Sequence, residues 1–513
     1  MAFSKSLLPV CFLLALYGLP AVSQDASDGL TMAQVEEAWS AGDFVTVREG
    51  LKALAENEGS PFAKYRYGRV LLEGRGGPAD LMAARDWLEQ AAADNQLDAA
   101  VLLARLYLSR ADGGPDYAPE RAATLLKTAA ARGNAEAQYY LGLLYGNGTG
   151  LEQSPEDMLT WMLAAAENGH VDAMFKLSQA YSRGLGGPVD VEKAVKWLES
   201  AASNGHAEAQ YYMAYALDTG QGMAQDRAGA ANWLLRSAEA GFWQAQAALG
   251  RKYLKGDGIA ANPVEGLRWL RAAAETGNPA ALADLAEAYT GTTGATANPA
   301  LAMQLYAQAA DAGLPRAMIG LAQMLEQGAG GQLPDMEQAI SLYRRAVEAG
   351  SEEASLKLGQ LAGAGRLDGL LAPHRAVPWA MSAAEAGDEA ALNWLRARAD
   401  EGLRPALTAM AEWMLSHEGS ADEAAGLLRT AAEAGDTDAQ HQLGLLLIKG
   451  QGVEQDYVQA HKWLNIAAAG GNQAALEMRE VAADLMTAEQ VAEAQKAART
   501  FFDQARAPVG ADK

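Results

Sequence analysis

The 513-residue chain has a single cysteine, Cys11. It lies inside an apolar run from Leu7 to Leu19 that follows Lys5 and gives way to small residues up to Ser23, the order of a secretory signal. That order predicts cleavage after Ser23, with Ala21 and Ser23 at the small-residue positions and Gln24 as the mature start. The alternative, a retained membrane anchor, requires a longer run than this one. Because the run continues past Cys11, where a lipid-acceptor cysteine would end it, Cys11 is expected to leave with the signal. The mature chain would then have no thiol, excluding disulfides, thiol catalysis and thiolate metal ligation together.

Positive charge is also in short supply. Against 64 acidic residues stand 41 lysines and arginines, a net charge of −23, which removal of Lys5 takes to −24. Such a surface argues against nucleic acid and anionic lipid as partners. It suits a basic partner, although solubility alone accounts for it.

Histidine numbers six, and none falls in a His-x-x-x-His or His-Glu-x-x-His arrangement. His170 and His206 follow Gly169 and Gly205 and read as turn residues. His441 and His461 share one unit but lack the further ligands a metal site needs. No Gly-x-Ser-x-Gly nucleophile turn occurs. The recurrent Gly-x-Gly turns lack the Gly-Lys-Ser/Thr ending of a phosphate loop. Carboxylates are too many for any two to be singled out as a glycosidase pair. Glu136, Asp172, Glu208 and Asp438 recur just before an alanine at a helix start, where negative charge is favoured. The chain is therefore read as a non-enzyme with no cofactor and no metal.

What the sequence does have is a unit returning about every 36 residues. One copy runs Ala173, Leu177, Tyr181, Gly184, Gly186, Ala194, Trp197, Ala201, Ala202 and Gly205, and the next repeats it from Ala209 to Gly241. The period predicts an all-α solenoid of helix pairs. First-helix alanines fall at Ala63, Ala99, Ala137, Ala173, Ala209, Ala245, Ala281, Ala317, Ala354, Ala406 and Ala439. Positions +4 and +8 from each alanine, and usually +2, are assigned to the core, while +3, +6 and +7 are assigned to the surface. Trp87, Trp161, Trp197, Trp233, Trp269, Trp379 and Trp463 stand eight residues before the unit's closing glycine or asparagine. Leucine replaces them in other units, so the position is read as core.

The expected organisation is a signal at 1–23, an N-terminal capping pair within 24–60, regular repeats over 61–386, an irregular stretch over 387–475, capping helices over 476–503 and a flexible tail at 504–513. Between Gly387 and Gly402 only half a unit fits. Trp394 there carries second-helix spacing, and the first helix with its Gly-x-Gly turn is missing. A bend is expected near residue 400.

The pattern Ala209-Gln210-Tyr211 through Gly220, Gly222, Asp226, Ala230, Trp233, Ala238 and Gly241 resembles the Sel-one-like repeat family, relatives of the tetratricopeptide repeats. The resemblance runs from about residue 61 to 475. It implies a right-handed superhelix of paired antiparallel helices with a concave binding face, and adaptor functions in membrane-associated or envelope complexes. Some cysteine-rich exported relatives are linked to β-lactam binding or hydrolysis, but their cysteine pairs are absent here. The family supplies no shared catalytic residues.

If the first helices line the concave face, the +3, +6 and +7 positions form a stripe of aromatics followed by positive charge. The stripe runs through Tyr140 and Leu144, Lys176 and Gln179, Tyr212 and Tyr215, then Arg251 and Lys252. Tyrosine and arginine suit interfaces, and the stripe fits an acidic or carboxyl-bearing peptide. Trp243, with Phe242, is a second patch. The expected function is a periplasmic or secreted scaffold binding a protein or peptide, envelope or membrane-associated proteins included, in envelope complex assembly or signalling. The alternative is a cell-wall, polysaccharide or β-lactam binding or hydrolysing protein.

Overall fold

The computed structural model describes residues 30–109, 117–292, 294–417 and 419–506. The signal segment, Cys11, the expected cleavage site and residues 507–513 of the expected tail lie outside them. Among the described residues are 27 α-helices, α1 (Met32–Ala41) to α27 (Ala488–Arg506), and no strand. They form two compact units. One ends at Ala240 and contains α1 to α12 (Arg227–Glu239). The other begins at Gly241 with α13 (Trp243–Lys255).

Each regular repeat is built by the same local chemistry. In α7 (Ala135–Asn147) the Asn134 side chain accepts the Ala137 N–H at 2.8 Å, and Gly148 closes the helix in the left-handed region at φ +67°. Gly150, also left-handed at φ +68°, has a different task. Its missing side chain admits the backbone of Pro119, the first residue of α6 (Pro119–Ala131), and a Cβ there would sit 2.9 Å from the Glu120 nitrogen and closer still to the Pro119 carbonyl. Gly186 and Gly452 receive the helix starts at Pro155 and Ala421 in the same way. In these turns the first glycine ends a helix and the second docks the preceding repeat.

The helix crossings depend on a position the sequence pattern did not single out. Five residues after each first-helix alanine stands Gly, Ala or Ser. At Gly142, Gly250 and Gly444 an added Cβ would press on Met162, Leu270 and Leu464 of the paired helix. Each of these large residues follows a repeat tryptophan, and each is buried. The deep second-helix position therefore belongs to the residue after tryptophan. Trp269 and Trp463 are buried at 7% and 5% exposure, but Trp87, Trp161, Trp197, Trp233 and Trp379 are only half-buried. Cations cover several indole faces, as with Arg236 at 4.8 Å from the Trp233 ring and Arg268 at 4.4 Å from that of Trp269.

The first-helix stripe also needs correction. Two turns of α-helix take about 7.2 residues, so +7 lies about 20° from the alanine and +8 about 80° away. Leu144, Ala180 and Ala216 at +7 are accordingly buried, while Tyr145, Tyr181 and Leu217 at +8 are half-buried.

A buried glutamine ties successive helices. The side-chain amides of Gln138, Gln210 and Gln440 donate to the carbonyls of Ala130, Ala202 and Ala432 at 3.0 to 3.1 Å. These carbonyls lie in the last turn of the preceding helix, outside the regular helical ladder, and each also accepts the N–H of the turn glycine, Gly133, Gly205 or Gly435, at 3.0 to 3.1 Å.

In the second unit, α19 (Glu352–Gly363) and α20 (Pro373–Glu385) make a regular pair. The next helix, α21 (Glu389–Asp400), stands alone before the pair begun by α22 (Arg404–Ser416). The Asp388 side chain accepts the Ala391 N–H at 2.9 Å, and Ala391 and Leu395 are buried, as in a first helix. The half unit is thus a first helix without its mate, the reverse of the phase that Trp394 suggests. Two glycines of α19 make room: a Cβ on Gly359 would strike the Trp379 carbonyl of α20, and one on Gly363 would lie 2.6 Å from the Ala391 nitrogen of α21.

Both ends carry extra helices. Thr31 and Gln34 form a capping box at α1. Thr487 and Gln490 bond each other's backbone N–H at the start of α27, which packs on α25 (Tyr457–Ala469) with the Trp463 and Phe501 rings 5.4 Å apart.

Candidate functional site

A pocket of about 500 Å³ opens in the first unit between α9 (Val171–Arg183), α10 (Val191–Ser203) and α11 (Ala207–Thr219). The three helix starts are fixed by side-chain caps. His170 Nδ1 accepts from Ala173 N at 3.3 Å, Asp190 from Lys193 N at 3.0 Å, and His206 Nδ1 from Ala209 N at 3.1 Å. Burial lowers the pKa of His170, which keeps the ring neutral and able to accept. The backbone bond from Lys193 and its side chain hold Asp190 below the usual carboxylate range.

The floor of the pocket is Phe175, buried, tilted against one ring and stacked with another. His206 lies at 4.5 Å on one contact and Tyr212 at 5.9 Å on another. Val191, Val195 and Leu198 of α10 supply an apolar wall, and Gly222 leaves bare backbone beside it, where a Cβ would lie 3.2 Å from a methyl of each valine. Tyr212 and Tyr215 stand at the opening with 42% and 48% of their surface exposed. Large exposed rings beside an apolar floor provide contact area with polar tips, the chemistry of a recognition pocket. One lining residue is charged, Arg183, in the last turn of α9.

Gln179 also lines the pocket, and the other residues of the expected stripe do not join it. Tyr140 borders a separate opening of about 390 Å³ with Leu143 and Asn147, and its ring lies under Arg105 at 5.5 Å. Leu144 is a core residue at 5% exposure, because +7 faces inward. In the second unit, Arg251 is bound to the buried carboxylate of Asp284 on α15 (Pro279–Tyr289), which also receives Arg316 at 2.7 Å. A buried carboxylate requires such partners, so Arg251 is held by the fold. Lys252 pairs with Asp257 at 3.0 Å. Trp243 is half-buried against the core of its unit.

His461 is buried in α25, and neither its Nδ1 nor Nε2 of His441 on α24 (Thr437–Lys449) has a hydrogen-bond partner. Burial lowers the pKa of both. Among the described residues no three His, Cys, Asp or Glu side chains are grouped to hold a metal, and no helix is long and apolar enough to cross a membrane.

The pocket joins residues from three elements, which explains why Phe175, Arg183, Val191 and Gly222 were not singled out. Phe175 at +2 was assigned to core and is indeed buried, but its exposed edge forms the floor.

A family model described as the Sel1 repeat matches residues 61–95, 97–134, 135–170, 171–206, 207–242, 243–278, 279–314, 315–351 and 437–472. The unmatched interval 352–436 is the one containing the lone helix α21. A protective antigen present in uropathogenic Escherichia coli strains, displaying an SLR fold, is 28% identical. It superposes with a TM-score of 0.57 over 91% of this chain and 98% of its own. A Sel1 repeat protein from Oxalobacter formigenes is 32% identical over 44% of this chain and 91% of its own, with a TM-score of 0.41. No curated protein sequence matches the chain. With nine matched repeats and an all-helical paired architecture, the chain belongs to the Sel1 repeat family.

Proposed function

We propose that the chain is a non-catalytic scaffold of the cell envelope, exported by its N-terminal segment, that binds a protein segment in the pocket between α9, α10 and α11 and brings envelope components together. Sel1 repeat proteins generally mediate protein–protein interaction. The observation that carries the reading for this chain is the exposed pair Tyr212 and Tyr215 over the apolar floor of Phe175, Val191 and Val195. Rigid aromatic side chains lose little conformational freedom on binding and dominate interface energetics.

The test is in-cell crosslinking with the native chain and a Tyr212→Ala/Tyr215→Ala variant, combined with cell fractionation. The reading expects periplasmic or secreted protein, and partners that crosslink to the native chain but not to the variant. Identical crosslinks from both would remove the pocket from the reading. Turnover of a cell-wall or β-lactam substrate, abolished by one side-chain change, would overturn the non-catalytic assignment.

A further inference from the structure

The chain is strongly acidic, at net charge −23, yet the pocket lining contains no carboxylate. Its one charged member is Arg183. This side chain is exposed and makes no ion pair or hydrogen bond among the described residues. That sets it apart from Arg251, Arg316 and Arg366, which are all bound to carboxylates of the fold. On the surface of α9, Lys176, Gln179 and Arg183 follow at i, i+3 and i+7, so they form one polar stripe, of which Gln179 and Arg183 line the pocket. Lys176 is exposed as well. Asp190, which shares the neighbourhood, is engaged by its own helix start and by Lys193 at 3.1 Å.

Resting on the scaffold reading above, we propose that the pocket takes an internal protein segment in which an apolar side chain lies next to aspartate or glutamate. The apolar group enters against Phe175, Val191 and Tyr212, and the carboxylate meets Arg183. A guanidinium offers paired donors that match a carboxylate, and the bond is charge-assisted. Gln179 on α9 and Gln221 in the turn after α11 supply uncharged amides beside the apolar floor, suited to the peptide groups of a segment that runs through the site. The overall charge of the chain invites a basic partner; the pocket selects against one, because a lysine there would face Arg183.

The experiment is a selection of random dodecamers, displayed with both ends fused, against residues 24–513. Selected peptides are then made with capped ends and titrated against the native chain, Arg183→Glu, Arg183→Gln and Tyr212→Ala. Expected are enriched sequences pairing an acid with an apolar residue. Their affinity should fall at least tenfold in Arg183→Glu and in Tyr212→Ala, and selection on Arg183→Glu should favour lysine or arginine in place of the acid. Arg183→Gln should lose affinity with an unchanged melting temperature, which separates recognition from any support Arg183 gives to the end of α9. Binding lost in Tyr212→Ala but unchanged in Arg183→Glu would overturn the acidic component and keep the pocket. Binding unchanged in both would overturn the pocket and keep the scaffold. Capture only of peptides with a free C-terminus would overturn the internal segment, and enrichment of nothing would overturn both readings.

Discussion

Gly148 and Gly150 belong to one turn and share one backbone conformation, yet alanine should be far more damaging at the second. At φ +67° and +68° both substitutions place a side chain in the left-handed region, a cost of about 1 to 2 kcal/mol for an L-residue. At Gly148 the new methyl group meets the Gln153 Cβ at 3.3 Å and no backbone atom closer than 3.6 Å, a contact relieved by a shift of a few tenths of an ångström. At Gly150 it meets the backbone at Pro119 and Glu120, where the first turn of α6 cannot rotate away. Relief requires moving one repeat against the next, and overpacking of this kind costs about 1 to 3 kcal/mol beyond the conformational term. The expectation is about 1 to 2 kcal/mol for Gly148→Ala and about 2 to 5 kcal/mol for Gly150→Ala. Repeat arrays need not unfold as one unit, so hydrogen exchange is the suitable assay, followed over α6, α7 and α8 (Pro155–Glu167). Each 1.4 kcal/mol lost from local opening speeds exchange about tenfold. Equal acceleration by the two variants would refute the assignment of the second glycine to inter-repeat docking.

Three further outcomes follow from the packing. Trp269→Ala should destabilise by about 3 to 5 kcal/mol through cavity formation and Trp197→Ala by less than half as much, because the first indole is buried and the second half-exposed; equal losses in denaturant titration would contradict this placement. Gln440→Leu should cost about 0.5 to 1.5 kcal/mol by removing one of the two donors to the Ala432 carbonyl, which keeps the Gly435 N–H, read as faster exchange at the α24 start. His170 must be neutral to cap α9, and burial lowers its folded pKa below the ordinary value of 6.5; its stabilising contribution is therefore full above about pH 6.5 and is lost as pH falls from there through the lowered folded value. Melting curves between pH 7.5 and pH 5 should show a smaller acid loss in His170→Asn, which caps without titrating, and an unchanged slope would reject the cap as its source.

Repetition made the architecture legible before any coordinates. Helix pairs, Gly-x-Gly turns, the divergent first pair and the Thr487 helix start all follow from local pattern. The register within a helix was less secure: assigning +8 rather than +7 to the core turned Leu144 outward when it faces inward. The small residues at +5 were present in every unit, but their meaning appears only when Gly250 is seen against Leu270. Tyr212 and Tyr215 could be placed on an open face from spacing alone. The fate of Arg251 could not, because its carboxylate, Asp284, lies in the following repeat, and ion pairing across 33 residues leaves no trace in helical period. The pocket itself needed three elements brought together, and Val191 and Gly222 carry no signal until they are.

The lone helix α21 has a consequence for how such a chain can change. An array of helix pairs lengthens by whole pairs, since each inserted first helix arrives with the partner that covers it. A single helix brings no partner and must find its clearance in a neighbour. Here Gly363 provides it by leaving the Ala391 backbone unobstructed. The α7 repeat has glycine, Gly146, at the matching place, but others hold Leu254, Glu326 or Ile448, and segment 388–403 transplanted beside those three would collide. Next to a repeat with a large residue at that place, residues 359–363 and 388–403 are therefore heritable only as one block: recombination that separates donor from recipient would leave a junction that does not close.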